Sequence, residues 1–235
     1  MLSIPRRAVR PQRNSKPRRV LPWLAALVCV ALCPGPAAQA QTAPSPAGPI
    51  KIVAFGDSLS AGYMLPESEA FPAVLQRVLR AEGKDVVVVN GGVSGDTSTG
   101  GLARLDWTLG DGADAVILEL GANDMLRGID PAITKQALAG LLERLKAKHI
   151  KVLLAGMLAP PSLGKDYGRQ FDAIYPALAA QYDVPLYPFF LDGMAEDTSQ
   201  KLADGMHPNK RGVETIVAHI LPSVEALLKS VGPRS

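Results

Sequence analysis

The segment Ile50-Lys51-Ile52-Val53-Ala54-Phe55-Gly56-Asp57-Ser58-Leu59-Ser60 decides the fold class. Its first six residues form a largely apolar run of strand length, and the glycine behind them opens a polar turn. Similar runs occupy residues 85–90, 114–120 and 151–157, with a shorter one at 185–189. The first four are nearly continuous in Val, Ile, Leu and Ala, as expected of parallel strands buried on both faces. Helical spacing fills the intervals. Asp130-Pro131 predicts an N-cap followed by proline at the first helical position. From there Ile133, Ala137, Leu138, Leu141, Leu142 and Leu145 recur on one face. A last helix is predicted over 209–229, carrying Ile216, Val217, Ile220, Val224 and Leu227 in the same way. Strand–helix alternation of this kind predicts an α/β chain with a doubly wound parallel sheet. Ligands bind such sheets beyond the carboxyl ends of the strands, so functional residues are expected directly after strands.

The 235 residues read as one domain plus a leader. Arg6, Arg7, Arg10, Arg13, Lys16, Arg18 and Arg19 form a basic start without a single acidic residue, an apolar run covers 20–33, and Ala38-Gln39-Ala40 has the small-residue cleavage pattern. This is the layout of a secretory signal peptide at 1–40, followed by a Pro/Ala/Ser-rich flexible linker at 41–49 and a domain at 50–235. The apolar run is short for a bilayer span, so no stable membrane anchor is expected. A lipid anchor would want a small residue before Cys29 or Cys33, where Val28 and Leu32 stand. Arg18-Arg19 also fits a twin-arginine signal loosely, with Sec export the simpler reading. The leader holds seven of the 25 Lys and Arg, so the mature chain keeps 18 against 22 Asp and Glu, a net charge of −4. Its basicity is that of an export signal, and a nucleic-acid partner is not expected. Both cysteines leave with the leader, which takes disulfides, cysteine nucleophiles and cysteine metal sites with them.

Four turns carry candidate chemistry. Ser58 follows the first strand, where a hydroxyl would face an approaching substrate; the same segment would also serve as a plain turn capped by serine or aspartate. Asn90-Gly91-Gly92-Val93-Ser94-Gly95-Asp96-Thr97 ends the second strand, its glycines allowing close backbone approach to a ligand or simply a tight turn before a helix capped by Asp96 or Thr97. Gly121-Ala122-Asn123-Asp124 ends the third, and Asn123 could aim its amide into the same cleft or serve as a turn residue. In Asp204-Gly205-Met206-His207-Pro208-Asn209 a carboxylate stands three residues before a histidine, within reach of the ring nitrogen turned away from substrate. His149 sits near Lys146 and Lys148 at a helix end and His219 inside the last helix, where solvated and structural roles fit better. Asp192 and Asp197 are the substitutes for Asp204. Together the turns offer a nucleophile, two oxyanion donors and a base with its orienting acid.

The segments Gly56-Asp57-Ser58-Leu59, Ser94-Gly95-Asp96-Thr97, Gly121-Ala122-Asn123-Asp124 and Asp204-Gly205-Met206-His207-Pro208 resemble, in order and spacing, the four blocks of the SGNH (GDSL) hydrolases, over essentially all of residues 50–230. GDSLSAGY at 56–63, SGDTSTGGLARL at 94–105, ELGANDMLRG at 119–128 and DVPLYPFF at 183–190 are most similar to the bacterial periplasmic thioesterase I, arylesterase and lysophospholipase group. The resemblance implies a three-layer α/β/α sandwich with a flavodoxin-like, five-stranded parallel sheet. It implies a catalytic triad of Ser58, Asp204 and His207, and an oxyanion hole from the Ser58 and Gly95 N–H groups and the Asn123 amide. It also implies a periplasmic or secreted monomer that cleaves small-molecule acyl esters and thioesters without metal or organic cofactor. Residues 158–170 are the loop expected to influence acyl-chain binding. A carbohydrate O-deacetylase would use the same triad; a binding module with a dead site would need a catalytic residue to be missing. No G-x-S-x-G elbow, strand-borne G-x-G-x-x-G or P-loop is present.

Overall fold

The computed structural model describes residues 48–232; the expected signal peptide and residues 41–47 of the linker lie outside the described residues. Five strands form the sheet: β1 (Ile50–Gly56), β2 (Val86–Gly92), β3 (Ala115–Glu119), β4 (Lys151–Ala155) and β5 (Leu186–Tyr187). Their order is β2-β1-β3-β4-β5, and every pairing is parallel. This is the doubly wound, flavodoxin-like order, with the chain reversing direction at β1 and β3. Residues Ile52 to Phe55 have no exposed surface, nor does Val116 or Leu118, which accounts for the unbroken apolar runs. β5 is shorter than its run because Pro185 and Pro188 flank it and neither can donate to a ladder.

The helices are α1 (Ser58–Ala61), α2 (Phe71–Ala81), α3 (Ser98–Leu109), α4 (Ala122–Leu126), α5 (Pro131–Ala147), α6 (Lys165–Asp172), α7 (Ile174–Tyr182) and α8 (Lys210–Val231). α2 packs with α8, while α3, α5 and α7 pack in succession, giving helices on both sides of the sheet. Asp130 caps α5 by accepting from the Ala132 N–H at 2.8 Å, ahead of Pro131. The α5 stripe departs from the expected one at its start. Ile133 is half exposed and Thr134 is buried in its place, because the first turn of α5 rests on a buried carboxylate, Asp124, to which the Thr134 hydroxyl donates at 3.2 Å. Farther along, Leu138, Leu141, Leu142 and Leu145 are buried as the spacing predicts. No helix among the described residues is long and apolar enough to cross a membrane.

One cation ties the strand ends together. Arg104, on α3, donates from Nε to Asp96 (2.6 Å), from Nη1 to the Gly91 carbonyl (2.8 Å) and the Thr108 hydroxyl (3.0 Å), and from Nη2 to the Gly56 carbonyl (2.8 Å). Its guanidinium also lies 4.2 Å from the centre of the Phe55 ring. The fork thereby locks the ends of β1 and β2 and the turn behind β2. Replacing Arg104 by Met should cost about 3 kcal/mol in urea unfolding, since it strands a largely buried Asp96 and takes a donor from two strand-end carbonyls. Arg104→Lys should recover little of that, because an ammonium cannot reproduce the planar fork.

Candidate active site

All the candidate turns gather at the carboxyl edge of the sheet. Ser58 follows β1, Gly95 follows β2 and Asn123 follows β3, while Asp204 and His207 lie in the stretch between β5 and α8. The capping and nucleophile readings of the first turn fall on different residues. Asp57 caps α1, accepting from the Leu59 N–H at 3.0 Å, which leaves the hydroxyl of Ser58, the first helical residue, free for another partner. That partner is His207, whose Nε2 lies 2.9 Å from Ser58 Oγ. On the far side of the ring, Nδ1 lies 2.7 Å from Asp204 Oδ2. A carboxylate only accepts, so Nδ1 carries the hydrogen and Nε2 is the acceptor facing Ser58. The Met206 N–H first, then the His207 ring and the His207 N–H, pull Asp204 down to about 2. Asp204 therefore stays ionised throughout the neutral range. The Tyr63 ring lies against the imidazole, centroids 4.4 Å apart.

Beneath the hydroxyl lies a set of buried polar residues. Asp57 is fully buried; its Oδ2 accepts from Asn123 Nδ2 at 3.0 Å. Glu119, the last residue of β3, is also buried, and its Oε2 accepts from the Ser60 hydroxyl at 2.8 Å and from the Asp57 N–H at 3.4 Å. Burial raises both carboxyls, Asp57 to about 6 against the pull of the Leu59 N–H and the Asn123 amide, and Glu119 well above the carboxylate range with further help from the Asp57 charge. Gly56 is required here for space: a Cβ would overlap the Ser60 hydroxyl and both the side chain and carbonyl of Glu119. Its φ is ordinary, so the expected turn-making role of this glycine gives way to close packing. Gly95 does adopt a left-handed conformation (φ 82°), and Arg127 Nη2 donates to its carbonyl at 2.6 Å. Asp124 holds the Asn123 turn in place, accepting from the N–H (2.8 Å) and hydroxyl of Ser98, at the start of α3.

The other candidates are engaged elsewhere. Asp192 pairs with His219 (2.9 Å to Nδ1), and Asp197 caps the short helix Thr198–Gln200. His149 is exposed, with a left-handed φ of 58°, just past α5. Thr97, not Asp96, caps α3. Of the buried polar residues, Glu119 left one sequence signal: a lone carboxylate closing an apolar strand, which demands partners. Most of the large exposed apolar side chains are also on this edge: Tyr63, Met64, Val93, Leu126, Leu158 and Met206. Among the described residues no group of His, Asp and Glu is placed to hold a metal ion.

Residues 54–214 match the GDSL-like lipase/acylhydrolase family. The chain is 42% identical to esterase TesA of Pseudomonas aeruginosa over 178 residues, covering 75% of this chain and 89% of that protein. It is also 42% identical to thioesterase 1/protease 1/lysophospholipase L1 of Escherichia coli strain K12, over 68% of this chain and 76% of that protein. The crystal structure of TesA superposes with a TM-score of 0.72 at 40% identity, covering 75% of this chain and 99% of that one. By family match, sequence identity and fold together, the chain belongs to the GDSL-like lipase/acylhydrolase family, the SGNH hydrolases.

Proposed function

We propose that this protein is a serine hydrolase that cleaves small-molecule carboxylic esters and thioesters by two-step acyl transfer, as an exported monomer. The observation that carries the reading is the continuous hydrogen-bonded series from Ser58 Oγ through His207 Nε2 and Nδ1 to Asp204 Oδ2, 2.9 and 2.7 Å long. As Ser58 attacks the acyl carbonyl, its proton passes to His207, and the Asp204 carboxylate orients the ring and stabilises the imidazolium. The carbonyl π electrons move onto oxygen, and the Ser58 and Gly95 N–H groups and the Asn123 amide receive that oxyanion. Ser58 opens α1, so its N–H has no intrahelical acceptor to compete for it. Collapse of the intermediate breaks the bond to the alcohol or thiol, which leaves with the His207 proton. Water then repeats the cycle and releases the acid. The relatives named esterase and thioesterase support the bond class, and the apolar side chains at the sheet edge suit an acyl chain. The basic leader and Ala38-Gln39-Ala40 support export, and the net charge of −4 behind it fits no nucleic-acid partner.

The test is turnover of p-nitrophenyl esters of increasing acyl length, with a thioester series beside it. Medium-chain esters and thioesters should both be hydrolysed, and Ser58→Ala should bring both to the assay background. A folded Ser58→Ala protein that keeps most of its turnover would refute the reading, and turnover confined to acetylated sugars would replace it with a deacetylase. Asn123→Ala should lower kcat by roughly 10²–10³ while the protein remains folded, the usual cost of one oxyanion donor.

A further inference from the structure

An amide side chain turned by 180° exchanges its donor and its acceptor at little steric cost, so an oxyanion donor built on asparagine needs something to select the correct face. At Asn123 only one neighbour is placed to do so. Asp57 Oδ2 lies 3.0 Å from Nδ2, and no other side-chain hydrogen bond of Asn123 is made among the described residues. Asp57 is itself immobile: it is fully buried, its Oδ1 is held by the Leu59 N–H, and its own N–H is held by Glu119. We propose that Asp57 is the positioning residue for the Asn123 amide, its acceptor-only carboxylate selecting the orientation in which one Nδ2 hydrogen points inward and the other is left for the oxyanion. This rests on the reading of Asn123 as an oxyanion donor given above.

The charge on Asp57 is essential to the device. An ionised Asp57 facing Oδ1 would be repelled, which excludes the flipped amide. A protonated Asp57 can donate to Oδ1, so both orientations become acceptable and the donor is lost from part of the population. The ionisable groups around Asp57 act in opposite directions. Glu119 on β3 sits below it, and Asp96 from the turn after β2 raises its pKa, whereas His207 from the loop before α8 lowers it. Asp96 is tied up by Arg104. With burial the largest influence, Asp57 is raised to about 6, so the carboxylate is present at neutral pH and lost in mild acid.

The full chain carrying Asp57→Asn, Asn123→Ala or both tests the inference. Asparagine keeps the shape of Asp57 and is a good N-cap, but it can offer either a donor or an acceptor to Asn123. Asp57→Asn should lower kcat with KM little changed, by the fraction of molecules whose amide is turned and so by less than Asn123→Ala, and should cause no further loss when Asn123 is already Ala. If the two losses multiply in the double variant, Asp57 acts by another route and the inference falls. If Asn123→Ala is impaired while Asp57→Asn retains wild-type kcat, the inference alone falls; a fully active Asn123→Ala removes the oxyanion reading itself. Should Asp57→Asn fail to fold, the ¹⁵N-labelled side-chain amide of Asn123 decides the matter in His207→Gln protein, which has no imidazole at the site. Its signals should move as pH is lowered from neutral, with a midpoint above the ordinary aspartate range. Signals that stay fixed through that titration would overturn the inference.

Discussion

β1 is hydrogen-bonded on both sides, to β2 from Ile50↔Val86 through Gly56↔Gly92 and to β3 from Ile52↔Ala115 through Phe55↔Leu118, all in parallel. This double pairing is the constraint on which the rest of the molecule depends. Parallel neighbours end at the same edge, so the turns after β1, β2 and β3 are brought together by the ladder before any of their side chains interact. The same pairing buries β1 from Ile52 onward. The carbonyls at the ends of β1 and β2 need partners too, and Arg104 donates to one in each strand, Gly56 and Gly91. The organisation of the edge thus follows from backbone accounting as much as from chemistry.

The edge also concentrates charge where charge is costly. Asp57, Glu119 and Asp124 are all buried within a few residues of the strand ends. Asp124 is well provided for, with three donors from Ser98 and Thr134. Glu119 is not: Oε1 has no partner, which is consistent with a carboxyl held above its ordinary range. For Asp57, raised from 3.8 to about 6, the native state binds its proton more tightly than the unfolded chain does. Its contribution to stability is therefore fully present below the unfolded value and declines as pH rises through about 6. Stability and the anionic form of Asp57 are opposed at this position.

The parts of this fold written in local pattern were legible in the sequence. Strands buried on both faces leave continuous apolar runs, and Asp130-Pro131 announces a helix start through a cap and a fixed φ. Ser58, Gly95, Asn123, Asp204 and His207 were legible as positions after strands, and their likeness to the family's blocks gave each a role to test. The supporting polar residues were not, because their reasons lie far off in the chain. Asp57 meets Glu119 across 62 residues, Ser98 meets Asp124 across 26, and Arg104 reaches back 48 to Gly56. No periodicity records such partnerships. The misplaced start of the α5 stripe has the same origin, since Ile133 and Thr134 exchange roles over Asp124, which belongs to another turn.

Ser58 and His207 stand 149 positions apart, the hydroxyl at the end of the first strand and the imidazole just before the last helix. A ribosome builds the chain from its amino end, so the turn that bears the hydroxyl emerges with most of the polypeptide still unmade. All five strands leave the exit tunnel before the ring that hydrogen-bonds to Ser58 does. Throughout that interval the serine has no histidine to accept its hydrogen, and α8, which covers part of the sheet, is still to come. The order of synthesis therefore works as a timer, keeping the hydroxyl unpartnered until nearly the whole chain has been made.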